Sequence, residues 1–420
     1  MRVVHLLRKY DPAQWGGTET AMQRLLEGLR VHGVRSAIYC PALDSVPGRD
    51  PLRDAGGEVQ RFRAFLPVLG ISAQTRRQLV SVGGNLMSFD LISLLRRETD
   101  MSVLHAHALG RIGGIGLSIA RQRNIPFVVT IHGGVLDLPP QLKKEMRKRA
   151  GGWEWGRFFG WIFQSHRLFP DADAILTCNG VEAALLREKY PGKRILVQPH
   201  GVPVGAYEEQ HGGCALGAFP QIRGRRVLLC VGRIDPVKNQ AWLVERLPRI
   251  LQSHPDALLV LTGACTDEVY GEALRRRMRA LGVENAVLFT GGLPPNDPRL
   301  IGLMQQAEAV LVPSISETFG LVILEAWAAG TTVLSSRTSG GRTLIRHGEN
   351  GWLFDLDDPD GFHETLDRAL HRSDRVRDVR LCGMDTVRTE YDVVALAGRM
   401  KRLYEELIEE KHALRHSTRR

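Results

Sequence analysis

Long apolar runs are missing from this 420-residue chain, and none of its hydrophobic stretches is long enough to span a bilayer. The start of the chain lacks a secretory layout: Met1 leads directly into Val3-Val4-His5-Leu6-Leu7, which reads as a first strand. Cysteine is sparse. The six residues Cys40, Cys178, Cys214, Cys230, Cys265 and Cys382 are scattered, and no two have metal-ligand spacing. Nothing in their spacing suggests a disulfide framework, and a reducing, cytoplasmic compartment fits best. No aspartate-rich metal motif stands out, so no metal and no resident cofactor are expected. Short-period repeats, low-complexity tracts and nucleic-acid-binding motifs are absent as well, which removes nucleic acid as a partner.

What is present points to a two-domain soluble protein. The length is too great for one core and suits two α/β domains of about 200 residues each. The formal charge is +10 and the sequence pI about 9.5, a balance that favours anionic partners such as nucleotide phosphates or acidic lipid head groups. The densest basic cluster runs from Lys143-Lys144 to Arg147-Lys148-Arg149. An aromatic group follows it: Trp153, Trp155, Phe158, Phe159, Trp161, Ile162 and Phe163. This segment fits either the core of a helical insertion or a peripheral seat on an anionic membrane.

Apolar runs of strand length alternate with helical patterns along the whole chain. The first series of strands is Val3–Leu7, Ser36–Cys40, Val103–Ala106, Phe127–Ile131, Ala174–Thr177 and Ile195–Gln198. The second series is Val227–Gly232, Ala257–Thr262, Val287–Thr290, Ala309–Val312 and Thr332–Ser335. Strands separated by helices imply parallel βαβ units. Gly201–Gly224, rich in glycine and proline, reads as a linker, and a long charged helix returns from Val393 to about Ala413. In such sheets ligands bind beyond the carboxyl ends of the strands.

The most informative segment is Pro313-Ser314-Ile315-Ser316-Glu317-Thr318-Phe319-Gly320-Leu321-Val322-Ile323-Leu324-Glu325-Ala326. An apolar strand ends at Pro313, a polar loop follows, and a helix begins near Gly320. A helix start offers unpaired N–H groups and a positive dipole end to an anion. Glu317 in the loop and Glu325 on the helix, eight residues apart, can accept hydrogen bonds from sugar and ribose hydroxyls. Arg233 and Lys238 follow the first strand of the second series. Two cations five residues apart across a loop can grip a diphosphate without a metal.

The segment resembles the E-x7-E signature of retaining GT-B-fold glycosyltransferases, family 4, also called glycosyl transferases group 1. Further segments resemble that family in the same order: Gly16-Gly17-Thr18-Glu19 its first glycine-rich loop, Thr130-Ile131-His132-Gly133 its histidine loop, and Gln198-Pro199-His200-Gly201-Val202 its inter-domain approach. In the last of these His200 stands where the family usually has asparagine. Val231-Gly232-Arg233-Ile234-Asp235-Pro236-Val237-Lys238-Asn239 resembles its diphosphate loop, and Gly348-Glu349-Asn350-Gly351-Trp352-Leu353 the turn after the donor-site elements.

The resemblance implies an α/β GT-B fold: two Rossmann-like domains facing a central cleft, with a C-terminal helix returning to the N-terminal domain. Residues 1–203 with helix 391–416 would form the acceptor domain, and 204–390 the nucleotide-sugar donor domain. It implies a transferase that moves a sugar from a UDP- or GDP-sugar to a hydroxyl of a sugar or lipid-linked acceptor, with retention, in polysaccharide or glycolipid biosynthesis. The catalytic set would be Glu317, Arg233, Lys238 and His132. Gly16, Gly17, Glu325, Phe319, Gly320, Leu321 and Val322 would bind the donor, with His132 near the sugar's 6-position. The rival readings are a GT-B-type epimerase, a phosphorylase, and a non-catalytic sugar-nucleotide-binding protein. A dinucleotide reading of Gly110–Gly116 is weak, because Ile119 stands where a third glycine belongs; close helix–sheet packing explains those glycines better.

Overall fold

A computed structural model describes residues 1–12, 15–43, 48–72, 86–133, 153–154, 157–371 and 373–417. The chain divides into two compact units, Met1–His200 together with Val393–Arg420, and Gly201–Asp392.

The first unit is built on a parallel sheet of seven strands: β1 (Arg2–Leu6), β2 (Arg35–Pro41), β3 (Gly57–Phe62), β4 (Val103–Ala106), β5 (Phe127–Ile131), β6 (Ala174–Thr177) and β7 (Ile195–Val197). They lie in the order β3-β2-β1-β4-β5-β6-β7. The second unit has six parallel strands: β8 (Arg226–Val231), β9 (Ala257–Thr262), β10 (Val287–Gly291), β11 (Ala309–Val312), β12 (Thr332–Ser336) and β13 (Trp352–Phe354), in the order β10-β9-β8-β11-β12-β13. β1 and β4 to β6 are buried along their whole length, as parallel strands covered on both faces must be. β3 and β13 were not expected from the sequence. β3 lies at a sheet edge and alternates buried with exposed residues, so it shows no continuous apolar run, and β13 is only three residues long.

The helices that position the site and the core are α1 (Gly17–Val31), α2 (Gly110–Arg123), α3 (Gly212–Ala218), α4 (Gln240–Ser253), α5 (Leu321–Ala328) and α6 (Val393–Ser417). α6 belongs to the first unit. Its Ala397, Met400, Leu403, Tyr404 and Leu407 join Val3, Val103, Val128 and Leu176 of the sheet in one buried cluster. The stretch expected to be a linker is more than that. It contains α3, which packs against the helix Pro298–Gln306, and Gln305 Nε2 donates to the Tyr207 and Glu209 carbonyls at 3.2 and 2.8 Å. Its glycines and small residues hide the helical period but permit a close helix pair.

α2 shows why its glycines are there. A Cβ at Gly114 would lie 2.1 Å from the Phe163 carbonyl oxygen, and one at Gly116 would lie 2.5 Å from Leu6 Cδ1. The helix thus lies against the sheet and against the following segment with no room for a methyl group. Among the described residues no helix is long and apolar enough to cross a membrane. The basic cluster at 143–149 and Trp155 lie outside the described residues, and of Trp153 only its backbone is described. Nearby, Phe163 is buried and Phe159 packs on the core, whereas Trp161 is 68% and Ile162 43% exposed. The aromatic group therefore divides between the core and the surface.

A helix-interior glycine ordinarily gains about 1 kcal/mol of stability on becoming alanine. Gly114→Ala is expected to show the opposite sign, a loss of about 1–3 kcal/mol from overpacking against Phe163. Urea unfolding of the two proteins measures it, and a stabilised variant would refute the close packing.

Candidate active site

In the second unit the strand order reverses between β8 and β11, which run side by side while their chain neighbours lie on opposite flanks. Such a reversal opens a crevice at the carboxyl ends of the two strands. The loops there are Gly232–Asn239 after β8 and Pro313–Gly320 after β11, and both carry residues singled out in the sequence. They are tied together by Ile315 N donating to the Val237 carbonyl at 2.9 Å and by Asn239 Nδ2 donating to the Pro313 carbonyl at 3.2 Å. Across the same gap Lys238 Nζ donates to Glu317 Oε2 at 2.5 Å.

The loop after β8 is held by its own acid. Asp235 Oδ1 accepts from the backbone N–H of both Val237 and Lys238 at 3.0 Å, and Asn239 takes a left-handed φ of 58° before α4 begins. Asn is among the residues that tolerate this conformation. Asp235 also pairs with Arg233 at 3.1 Å, and the Arg233 side chain is 51% exposed. Arg233 thus stands at the surface of the loop while Lys238 is drawn inward to Glu317.

The loop after β11 ends at Gly320, whose φ of 95° is one that a side chain rarely adopts. A Cβ there would also meet Ile323 Cδ1 at 2.8 Å, so both the turn and the packing require glycine. α5 starts immediately after it. The amides of Leu321 and Val322 lie in its first turn, where no intrahelical acceptor exists. Glu317 is pinned through its backbone, its carbonyl accepting from Gly340 N at 2.8 Å. Phe319 is buried and packs its ring 6.2 Å from that of Tyr391. Glu325 is 7% exposed, not a solvated helix residue.

In the first unit, Gly16 caps the N-terminus of α1 and Gly17 begins it, with Thr20 N donating to the Gly16 carbonyl at 3.0 Å. A side chain at Gly17 would meet nothing within 4 Å, so that position borders open space. His132 directly follows β5 and is one of five clustered histidines. Its Nε2 is 2.6 Å from His107 Nδ1, and its ring stacks on His200 with centroids 5.3 Å apart and planes 16° apart. His107 Nε2 is in turn 3.0 Å from His5 Nδ1. His105, paired in register with His5, places its two ring nitrogens 2.6 Å from Tyr404 Oη and 2.6 Å from Thr130 Oγ1.

Burial pushes all five rings toward the neutral form. The His5 and His200 pKa values fall to about 3 and that of His132 to about 4, and His105 and His107 lie well below their ordinary range. His5, His105 and His107 were not singled out in the sequence. The spacing of 105 and 107 puts both side chains on one face of a strand, but their partner on β1 stands a hundred residues earlier in the chain. Eight of the residues that were singled out gather in the second unit: Arg233, Lys238, Glu317, Phe319, Gly320, Leu321, Val322 and Glu325. Gly16, Gly17 and His132 belong to the first.

The buried histidines give the protein a pH dependence of definite sign. Below their ordinary pKa of 6.5 the unfolded chain takes up protons on these rings while the folded one does not. Stability is complete above that value and falls as the pH drops toward the depressed folded values. Each ring that stays neutral contributes about 1.4 kcal/mol per pH unit, and His5 and His105 have no exposed surface at all. Between about pH 6.5 and about pH 5.5 the unfolding free energy is expected to fall by about 2 kcal/mol or more. A urea midpoint unchanged over that range would contradict the burial of neutral rings.

Comparison with known proteins agrees with this architecture. Residues 16–201 match the model of a glycosyl transferase 4-like domain and residues 219–380 that of glycosyl transferases group 1. A D-inositol 3-phosphate glycosyltransferase of Acidothermus cellulolyticus is 33% identical over 298 residues, which is 69% of this chain and 64% of that enzyme. One from Corynebacterium glutamicum is 29% identical over 97% of both chains. The Anabaena protein HepE, solved in complex with UDP, superposes with a TM-score of 0.73 at 17% identity, over 97% of this chain and all of HepE. With both units matched by domain models and the overall fold shared with HepE, the chain belongs to the GT-B glycosyltransferases of group 1.

Proposed function

We propose that this glycosyltransferase takes a sugar from a UDP- or GDP-sugar and transfers it, with retention, to a hydroxyl of a sugar or lipid-linked acceptor in polysaccharide or glycolipid biosynthesis. The observation that carries the reading is the convergence of Lys238 and Glu317 at the strand-order reversal beside the start of α5. There a cation, a carboxylate and helix-terminal amides meet within one loop pair, the chemistry that a sugar joined to a diphosphate demands. Arg233 and Lys238 hold the diphosphate and stabilise it as it leaves. Glu317 orients hydroxyls of the transferred sugar, and Glu325 binds the ribose. The backbone of Phe319 to Val322 meets the phosphates or the sugar. The first unit recognises the acceptor and supplies Gly16, Gly17 and His132 to the donor.

Lys238 is engaged by Glu317. A diphosphate brings about two negative charges and outcompetes one carboxylate for that ammonium. Glu317 is then released for the sugar hydroxyls, so donor binding exchanges one partner of each residue for another. No carboxylate is assigned as a nucleophile. The departing phosphate oxygen takes the proton of the acceptor hydroxyl on the same face from which it leaves, which conserves the anomeric configuration. The positive charge that a metal supplies in other phosphate chemistry comes here from Arg233, Lys238 and the α5 terminus, and no cofactor is required.

We place the protein in the cytoplasm, with a peripheral contact to the anionic inner face of the membrane. That contact is supported by the exposed Trp161 and Ile162 and by the adjacent basic sequence.

A panel of UDP-, GDP- and ADP-sugars, scored first by thermal shift and then by hydrolysis and transfer, identifies the donor. Lys238→Ala or Arg233→Ala is expected to cut turnover by about two orders of magnitude or more. Activity within about twofold of the parent would remove them from the mechanism, and affinity without turnover in the parent would make the protein a binder. Anionic liposomes are expected to retain the protein at low salt and release it at high salt. Equal recovery with neutral liposomes would refute the membrane contact.

A further inference from the structure

The histidine cluster of the first unit contains an ordered arrangement that the proposed chemistry does not by itself require. His5 on β1, His107 after β4 and His132 after β5 join through two ring-to-ring contacts, 3.0 Å between His5 Nδ1 and His107 Nε2 and 2.6 Å between His107 Nδ1 and His132 Nε2. The two outer nitrogens, His5 Nε2 and His132 Nδ1, are buried with no hydrogen-bond partner among the described residues. A metal site is the first alternative, because ligand atoms of His5, His105 and His107 lie within 4.8 Å of one another. His105, however, has both nitrogens against hydroxyls, and both nitrogens of His107 face other imidazoles. Three lone pairs are not left to meet at one point, and the distances describe a hydrogen-bonded chain.

We propose that His5 and His107 place the single proton of His132 on Nδ1, so that this atom is a hydrogen-bond donor to a substrate oxygen. The proposal rests on the reading of His132 as a donor-sugar contact, and it makes His107 a positioning residue.

The argument is one of counting. A neutral imidazole has one N–H and one lone pair, and each ring-to-ring contact needs one of each. Burial keeps the three rings neutral. Only two proton patterns then satisfy both contacts. In the first, His132 Nε2–H donates to His107 and His107 Nε2–H donates to His5. His5 then carries its own proton on Nε2, an unpaired N–H. In the second, His5 Nδ1–H donates to His107 and His107 Nδ1–H donates to His132, which carries its proton on Nδ1. Only a bare lone pair then remains at His5 Nε2.

The patterns differ in where the unpaired N–H lies. His5 has no exposed surface, so an N–H stranded there stays stranded. Both outer nitrogens are buried, but His132, directly after β5, keeps part of its surface open whereas His5 keeps none, so only the His132 ring can present its N–H to an incoming oxygen. A buried unpaired donor costs about 1–3 kcal/mol, and unsatisfied N–H groups are rarer in folded proteins than under-used acceptors. The second pattern is therefore selected. Stacking on His200 fixes the ring plane of His132 and thus the direction in which Nδ1–H points. The group received there must be an oxygen with a free lone pair, a hydroxyl or a carboxylate, and not an ammonium or amide N–H.

The test is the tautomer itself. The full chain labelled with nitrogen-15 histidine is studied near neutral pH by long-range proton–nitrogen correlation, with His132 assigned by its loss in His132→Asn. The expected result is a protonated Nδ1 and bare Nε2 for both His132 and His5. His132 protonated on Nε2 in the parent protein overturns the proposal. In His107→Leu, shown folded by circular dichroism, His132 is expected to lose its fixed tautomer and turnover to drop about tenfold, the equivalent of one hydrogen bond. His107→Gln, whose amide donates to Nε2, is expected to restore both. A His132 tautomer unchanged in His107→Leu also overturns the proposal. Titration with a nucleotide sugar that binds by thermal shift separates the two readings. Unmoved His132 resonances with Nδ1 protonated would refute the sugar contact and leave the histidine chain standing.

Discussion

The second unit depends on a tie between two loops. β8 and β11 are neighbours in the sheet but far apart in the chain, and the segments that follow them leave toward opposite flanks. Ile315 to Val237, Asn239 to Pro313 and Lys238 to Glu317 bring those segments back together. The ionic member of the set is not chiefly a stabiliser. Two unit charges about 4 Å apart attract by about 4 kcal/mol at an effective dielectric near 20, and desolvation takes back much of that. Its consequence is placement: a cation and a carboxylate held together at the carboxyl ends of two neighbouring strands.

The first unit solves a different problem. Five histidines gathered at the carboxyl ends of buried strands would be costly if charged, and burial keeps them neutral. Neutral rings are ambivalent, each able to give or accept. Linking them removes the ambivalence, because the proton of one ring dictates that of the next. The hydroxyls of Tyr404 and Thr130 hold His105 apart from the chain, and Tyr404 comes from α6. The C-terminal helix thereby completes both the apolar core and the polar cluster of a domain that begins nearly 400 residues earlier.

Most of the sheet framework was legible in the sequence because fully buried parallel strands are short unbroken apolar runs. Val103–Ala106, Phe127–Ile131, Ala174–Thr177, Ala257–Thr262 and Ala309–Val312 stand in the structure with the bounds that pattern predicts. The misses have physical causes. β3 is half-exposed, β13 is three residues long, and α3 is a short helix whose glycines and alanines leave no apolar period to read. Lys238 and Glu317 were legible as types in a spaced motif, and the packing glycines of α2 were distinguishable from a dinucleotide loop by the absent third glycine. His5, His105 and His107 were not legible, since nothing local distinguishes a histidine in an apolar strand from one that completes a cluster.

By itself the sequence determined the alternation of strands and helices, the turn that only Gly320 can make, and the charged residues after the first and fourth strands of the second unit. Those are local properties, set by side-chain period, backbone sterics and residue charge. Tertiary structure alone decided that Lys238 meets Glu317, that Glu325 is buried, and that His5 reaches His132 through His107. Pairings of this kind join residues some 25 to 100 positions apart, and they exist only once parallel strands lie side by side and carry their carboxyl ends to the same edge.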